Sequence, residues 1–378
     1  MAVVKQVENR WSTEQLITGI EIPEWLKLLA KNRFKVDPVY LHRAAWITGW
    51  SLPATLFGRL EDAIYGKKLA TMEVDPTPLF LLGHWRTGTT HLHNLLQRDP
   101  HHTSPTYYQV VFPGAFLLTG DIVPRLAAGA LAETRSYDNV KQGWHEAAED
   151  EIALAKLTGL SIYCSFMFPE TASQYEKYVD FLEATPDEKA RWKAAFVYFI
   201  KKIMLATGKR VVVKSCTHTA RVRLLLEMFP DAKFVHIHRN PYETFSSTLH
   251  LRSKVDWENF FQKPEENFLQ QRWEQTATIG QKIWERIIED RKLIPPENFV
   301  ELNYHEFEGH ELEYLRGIYE KFRLPEWERY EKIITPYLES LKGYKKNKLK
   351  IDQKLQEFVY DRWRMVFDAY GYKKDYVQ

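Results

Sequence analysis

The sequence predicts an α/β protein: a parallel β-sheet flanked by helices, preceded by a helical extension and carrying a helical insert. Three observations predict it. Short apolar or β-branched runs at Leu79–Leu82, 210–215, Lys233–His238 and 299–302 read as strands buried on both faces. These runs alternate with segments of helical period, the pattern of parallel strand–helix–strand units. The first run enters a glycine loop that opens a helix, and the third enters Arg239-Asn240-Pro241 before another helix.

Composition bounds the class. The 378 residues are 44% hydrophobic and 27% charged, which fits a globular chain and argues against disorder or a coiled coil. Twelve Trp and 20 Tyr supply a sizeable core and suit a pocket for a flat ligand. The net charge of +2 lacks the basic excess of a nucleic-acid binder. Two cysteines, Cys164 and Cys216, are too few for a disulfide framework or a cysteine-built zinc site, and they point to a reducing compartment. The N-terminal MAVVKQVENRWSTEQ shows neither an apolar core nor a cleavage pattern of a signal peptide, so a cytoplasmic location is expected.

Along the chain, residues 1–75 read as amphipathic helices. The apolar stretch 44–57 is expected to be broken by Pro53 and is too short to span a bilayer. It reads as a core or surface-packing helix, with an interfacial membrane helix as the alternative. Asp75-Pro76-Thr77-Pro78 ends the extension. Residues 100–145 read as irregular, and 146–160 and 187–207 as helices. Helices are also expected up to Phe229-Pro230, over 265–291, and from 311 to the C-terminus. The whole reads as one domain: an extension over 1–75, a core over 76–310 with an insert over 100–207, and C-terminal helices over 311–378.

The loop Gly83-His84-Trp85-Arg86-Thr87-Gly88-Thr89-Thr90 is the first chemical signal. Strand, glycine loop and helix make an anion cradle, because loop amides and the helix dipole face the ligand. Gly83 and Gly88 are spaced as in nucleotide-triphosphate loops, yet Thr89 stands where those loops carry lysine. Arg86 is the one cation in the loop. The loop therefore suits a phosphate-type anion and does not support phosphoryl transfer from ATP.

The segment from Leu79 to Leu96 resembles the 5′-phosphosulfate loop of sulfotransferases that use 3′-phosphoadenosine 5′-phosphosulfate. The resemblance implies a P-loop NTPase-like fold and sulfonate transfer to an acceptor hydroxyl or amine, in line and without metal. It implies adenosine 3′,5′-bisphosphate as product. By the same resemblance Arg86, Thr87, Gly88, Thr89 and Thr90 hold the 5′-phosphate and sulfonate, with His84 and Trp85 lining the loop. The stretch from Phe229 to Pro241 resembles the family strand that ends in Arg-Asp-Pro, here with Asn240 for Asp. Ser247 follows Arg239 by eight, the family spacing of the two 3′-phosphate ligands. Arginine can bind phosphate in a bidentate way, and a serine hydroxyl can donate to a further oxygen. Lys214 takes the position of the family lysine that stabilises the sulfonate in transfer. Tyr304, in Leu302-Asn303-Tyr304-His305-Glu306, resembles a late-strand tyrosine beside the adenine; a buried structural tyrosine is the alternative.

The general base stays open among three residues. Cys216 stands where one family branch has its histidine, and His218 is the nearest histidine. The run Glu149-Asp150-Glu151 resembles an acidic helix of bacterial sulfotransferases. On a helix its three side chains diverge by about 100° each, so at most two face one cleft. A carboxylate beside an apolar wall has the raised pKa that a base needs, although acidic residues also cap helix starts. Glu149 and Glu151 are the candidates there.

The histidine pairs lack a third ligand at a telling spacing, so no metal site is expected. Lys342 and Gly343, in the lysine-rich run 342–350, are further 3′-phosphate candidates beside a solvated-loop reading. The acceptor class stays open among small molecule, glycan and lipid, with no nucleic acid and with peripheral membrane contact as a possibility. Two other functions compete: a P-loop kinase, against which Thr89 argues, and a non-catalytic nucleotide binder, for which the missing histidine at Cys216 argues.

Overall fold

The computed structural model describes residues 15–376 apart from 121, 128, 130, 132, 133, 136, 137, 139 and 343–350. Among the described residues, α-helices of seven residues or more and all strands follow in chain order. They are α1 (Ile22–Lys31), α2 (Leu41–Thr71), β1 (Leu79–Leu82), α3 (Thr89–Leu96), β2 (His102–Thr103), α4 (Asp150–Thr158) and α5 (Pro186–Thr207). Next come β3 (Arg210–Lys214), α6 (Val222–Met228), β4 (Lys233–His238), α7 (Pro241–Asn259), α8 (Phe268–Asp290), β5 (Phe299–Asn303), α9 (Glu311–Phe322), α10 (Trp327–Ser340) and α11 (Gln353–Tyr370).

The strands form one sheet in the order β2-β3-β1-β4-β5, and every pairing is parallel. β1 is central, with Leu81 level with Lys214 on one side and Val235 on the other. Its four residues are all buried, as the unbroken apolar run predicts. Leu79 and Leu81 face a core shared with Leu92, Leu95 and Leu96 of α3 and with Ile318 and Tyr319 of α9. Phe80 faces the other way and stacks on Phe234 at 5.4 Å. The chain leaves β1 and β3 on one side and β4 and β5 on the other. That is the switch point at which open α/β sheets bind ligands, beyond the carboxyl ends of their strands.

The chain divides into two compact units. One comprises the residues up to Val74, Pro105–Ala206 and Leu251–Leu269; the other comprises Asp75–Ser104, Thr207–His250 and the residues from Gln270. The sheet lies wholly in the second. The first is helical: Trp25 Nε1 donates to Thr48 Oγ1 at 3.0 Å, joining α1 to α2, and Trp192 stacks on Phe196 in its core. In its interior Lys202 of α5 pairs with Glu61 of α2 and donates to the Pro113 carbonyl at 2.5 Å.

Three expectations need correcting. Helix α2 runs through Pro53 without a break. The carbonyl that Pro53 cannot bond belongs to Gly49, which is exposed to water, so the lost hydrogen bond is cheaply replaced. Helix α4 begins at Asp150, so 146–149 lie outside it. Finally, the stretch 100–145 is not wholly irregular: it contributes the edge strand β2 and the short helices Tyr107–Val111, Phe116–Thr119 and Ile122–Leu126.

Candidate active site

The second unit gathers the motif residues at the carboxyl ends of β1, β3, β4 and β5. β1 delivers the chain to Gly83, whose N–H donates to Thr219 Oγ1 at 2.7 Å. A Cβ there would come within 2.6 Å of the Ile237 carbonyl, Thr87 Oγ1 and Thr89 Cγ2, so only glycine fits. Thr87 closes the turn: its hydroxyl donates to the His84 carbonyl at 2.8 Å. Gly88 adopts φ 101° as the N-cap of α3, and a Cβ on it would strike the ring of Tyr304. Lacking a side chain, Gly88 offers no cap to the first amides of α3, and Thr89 and Thr90 begin the helix. This is the arrangement in which an anion completes a helix N-terminus.

Arg86, at φ 71°, turns back toward α7 and donates from Nε to Ser247 Oγ at 3.0 Å. Arg239 donates to the Arg86 carbonyl at 3.3 Å and lies 4.5 Å over the Tyr304 ring. Arg86, Arg239, Ser247 and Tyr304 thus form one connected group. Asn240 accepts the Tyr242 N–H at 2.9 Å, opening α7 as an aspartate there would. Tyr304 is not on the strand: it is the first residue of a short helix, Tyr304–Phe307, and its hydroxyl donates to Glu308 at 2.9 Å.

Sequence reasoning missed Glu243. It accepts from Arg239 Nε at 2.7 Å, from His305 at 3.0 Å and from the Tyr376 hydroxyl at 3.0 Å. Burial raises its pKa, but His305 and Arg239 outweigh burial and hold it down at about 2. The signal lay in the spacing to Arg239, but His305 and Tyr376 come from distant chain.

His84 packs against α8 and α11. Its ring is wholly buried, stacked on Trp284 at 5.6 Å and edge-on to Trp363 at 5.2 Å, with Nδ1 donating to the Trp85 carbonyl at 2.9 Å. Burial lowers its pKa to about 4, so it is a neutral wedge behind the loop. Trp85 contributes its carbonyl, which also accepts from Thr248 at 3.4 Å.

Lys214 ends β3 and is buried. His93 of α3 is buried near it; burial first, and the Lys214 charge second, lower the His93 pKa to about 3. Ser215 and Thr217 share a 2.9 Å hydroxyl pair, while Cys216 is buried. His218 is wholly buried and edge-on to Phe80 at 5.7 Å.

The acidic run belongs to the first unit. Glu149 is the extended N-cap residue of α4, half-buried, and accepts a short hydrogen bond from Tyr163. The three carboxylates therefore do not share a helix. Glu151 is wholly buried and accepts from Ser161 Oγ at 2.6 Å. Asp150 is likewise buried.

His91 pairs with Glu311 at 3.1 Å and His236 with Glu301 at 3.0 Å. Among the described residues no group of three or more His, Cys, Asp or Glu is gathered as a metal site. Lys342 is exposed and pairs with Glu339; Gly343 and the rest of the lysine run lie outside the described residues.

A parallel sheet whose central strand runs through a glycine loop into a helix is a P-loop-like fold. The chain belongs to the sulfotransferase family, whose family model matches residues 78–329. It is 32% identical to the omega-hydroxy-beta-dihydromenaquinone-9 sulfotransferases Stf3 of Mycobacterium bovis and Mycobacterium tuberculosis, over 97% of this chain and 94% of theirs. The fold resembles sulfotransferase STF9 of Mycobacterium avium (TM-score 0.68, 17% identity, 97% of this chain and 99% of that one). It also resembles STF1 of Mycobacterium tuberculosis H37Rv (TM-score 0.64, 19% identity, 96% of each). The protein is thus a sulfotransferase enzyme that takes a sulfonate from a donor.

Proposed function

We propose that the donor is 3′-phosphoadenosine 5′-phosphosulfate and that the acceptor is the hydroxyl of a menaquinone-type lipid. The observation that carries the donor reading is the connected group Arg86–Ser247–Arg239 beside the Gly88 turn. Two guanidinium groups, a hydroxyl and uncapped helix amides suit a ligand with two separate phosphate groups. The acceptor reading rests on the likeness over nearly the whole chain to enzymes named for a hydroxylated dihydromenaquinone.

The bound donor supplies an activated sulfonate whose leaving group is a phosphate. Arg86, Thr87, Gly88, Thr89 and Thr90 would hold the 5′-phosphate and sulfonate. Arg239 and Ser247 would hold the 3′-phosphate, and the Tyr304 ring would face the adenine. Lys214 would offset the charge that builds on the transferring oxygens. His84 and Trp85 shape the loop from behind. Glu149 would accept the acceptor's proton: it is half-buried, whereas Glu151 and His218 are wholly buried. We read the transfer as in line and metal-independent, and the setting as cytoplasmic. Cys164 and Cys216 are both buried and neither is in a disulfide, which suits a reducing compartment.

Calorimetric titration with adenosine 3′,5′-bisphosphate tests this. The reading expects micromolar binding that weakens about a hundredfold in Arg239→Ala, with none for ATP and magnesium. Binding of ATP alone would overturn it.

A further inference from the structure

Helix α2 is apolar on the face it turns inward and again on the face it turns outward. Inward it buries Ile47, Ala54 and Leu69. Outward, Leu41 is 55% exposed, Leu52 62%, Leu56 59%, Leu60 46% and Ile64 60%. From Leu52 on these residues recur every four positions and keep to one side, so they form a stripe rather than scattered exceptions. Isolated exposed leucines are ordinary, but a continuous stripe marks a surface that is covered in use.

The charges beside the stripe say what covers it. Arg59, Lys67 and Lys68 are exposed, and no Asp or Glu occurs between Leu41 and Arg59. Of the exposed acids further on, Asp62 accepts from the Tyr198 hydroxyl at 2.8 Å and Glu73 lies beyond the end of α2. A parallel second copy of this helix would bring cations to cations, and an antiparallel one would set Lys67 and Lys68 against its acid-free first half. Lipid phosphates would meet them, and acyl chains would meet the leucines. No helix among the described residues is long and apolar enough to cross a membrane.

We propose that the outer face of α2 lies in the surface of an anionic membrane, with Leu52, Leu56, Leu60 and Ile64 in the acyl boundary and Lys67 and Lys68 at the headgroups. The proposal does not depend on the acceptor reading, and its test needs no turnover.

The test is flotation of the full chain with vesicles of phosphatidylglycerol and phosphatidylcholine in equal parts, against phosphatidylcholine alone. Wild type should bind the mixed vesicles at least about tenfold more tightly, and less so in high salt. Leu56→Glu/Leu60→Glu should weaken binding about a hundredfold. Its affinity for adenosine 3′,5′-bisphosphate should be unchanged, which shows that the fold is intact. Should that variant fail to fold, Lys67→Glu/Lys68→Glu should cost about thirtyfold. Absence of wild-type binding to either vesicle overturns the proposal, as does equal binding by every variant. A wild-type dimer that Leu56→Glu/Leu60→Glu dissociates, without vesicle binding, would assign the stripe to a second copy.

Discussion

Gly88 joins several demands in one residue. Its φ of 101° is left-handed, its missing side chain leaves α3 uncapped, and the Tyr304 ring occupies the place of a Cβ. Gly88→Ala therefore pays backbone strain and displaces Tyr304 at once. The expected loss is about 2 kcal/mol of stability, with bisphosphate affinity down at least about tenfold. Thermal melting and the same calorimetry check this, and unchanged affinity would show that Tyr304 and the loop are not coupled. Asn240 and His84 show what residue-level reading can and cannot reach. Asn240 performs the turn-opening of the aspartate it replaces, because an amide oxygen accepts the same N–H. His84 sits inside the motif but faces away from it. Its ring is claimed by Trp284 and Trp363, far along the chain, and no local pattern announces that. Glu243 escaped notice for the same reason: only the fold brings His305 and Tyr376 to it.

At the scale of elements, the longer strands were legible because strands buried on both faces leave an unbroken apolar run. β2 was not. It has two residues, too few for any period, and it exists because it pairs with β3 while Asp99 accepts from the His102 ring at 2.6 Å. The uninterrupted α2 was missed because a proline inside a helix costs less where water reaches the abandoned carbonyl, as it does at Gly49, and the sequence does not show which carbonyls are wet. The start of α4 was misplaced because consecutive acids serve equally as a first turn and as the residue before it. The burial of Lys202 against Glu61 yields a prediction for α2 and α5. Lys202→Met alone leaves a buried carboxylate and should cost about 3–5 kcal/mol in urea unfolding. Lys202→Met/Glu61→Leu should regain most of that loss. A single variant as stable as wild type would mean that Glu61 is neutral in the folded protein.

For the molecule as a whole, the α/β class, the position of the glycine loop and the family were all readable from local motifs, because strand, loop and helix follow one another in short contiguous segments. The first unit was not readable in the same way. Apart from the acidic run at Glu149–Glu151, its helices carry no short contiguous motif. The exposed stripe of α2 was visible only as an apolar stretch until the fold separated its inner face from its outer one. Chemistry and acceptor therefore call for one assay. Radiolabelled 3′-phosphoadenosine 5′-phosphosulfate is incubated with the enzyme, an ω-hydroxylated dihydromenaquinone and a chelator, and the label in the lipid extract is counted. Wild type should label the lipid, and Lys214→Ala should do so about 10²–10³-fold more slowly with bisphosphate affinity little changed. Equal labelling by Lys214→Ala, or no labelled lipid from a wild-type enzyme that binds the bisphosphate, would contradict the account.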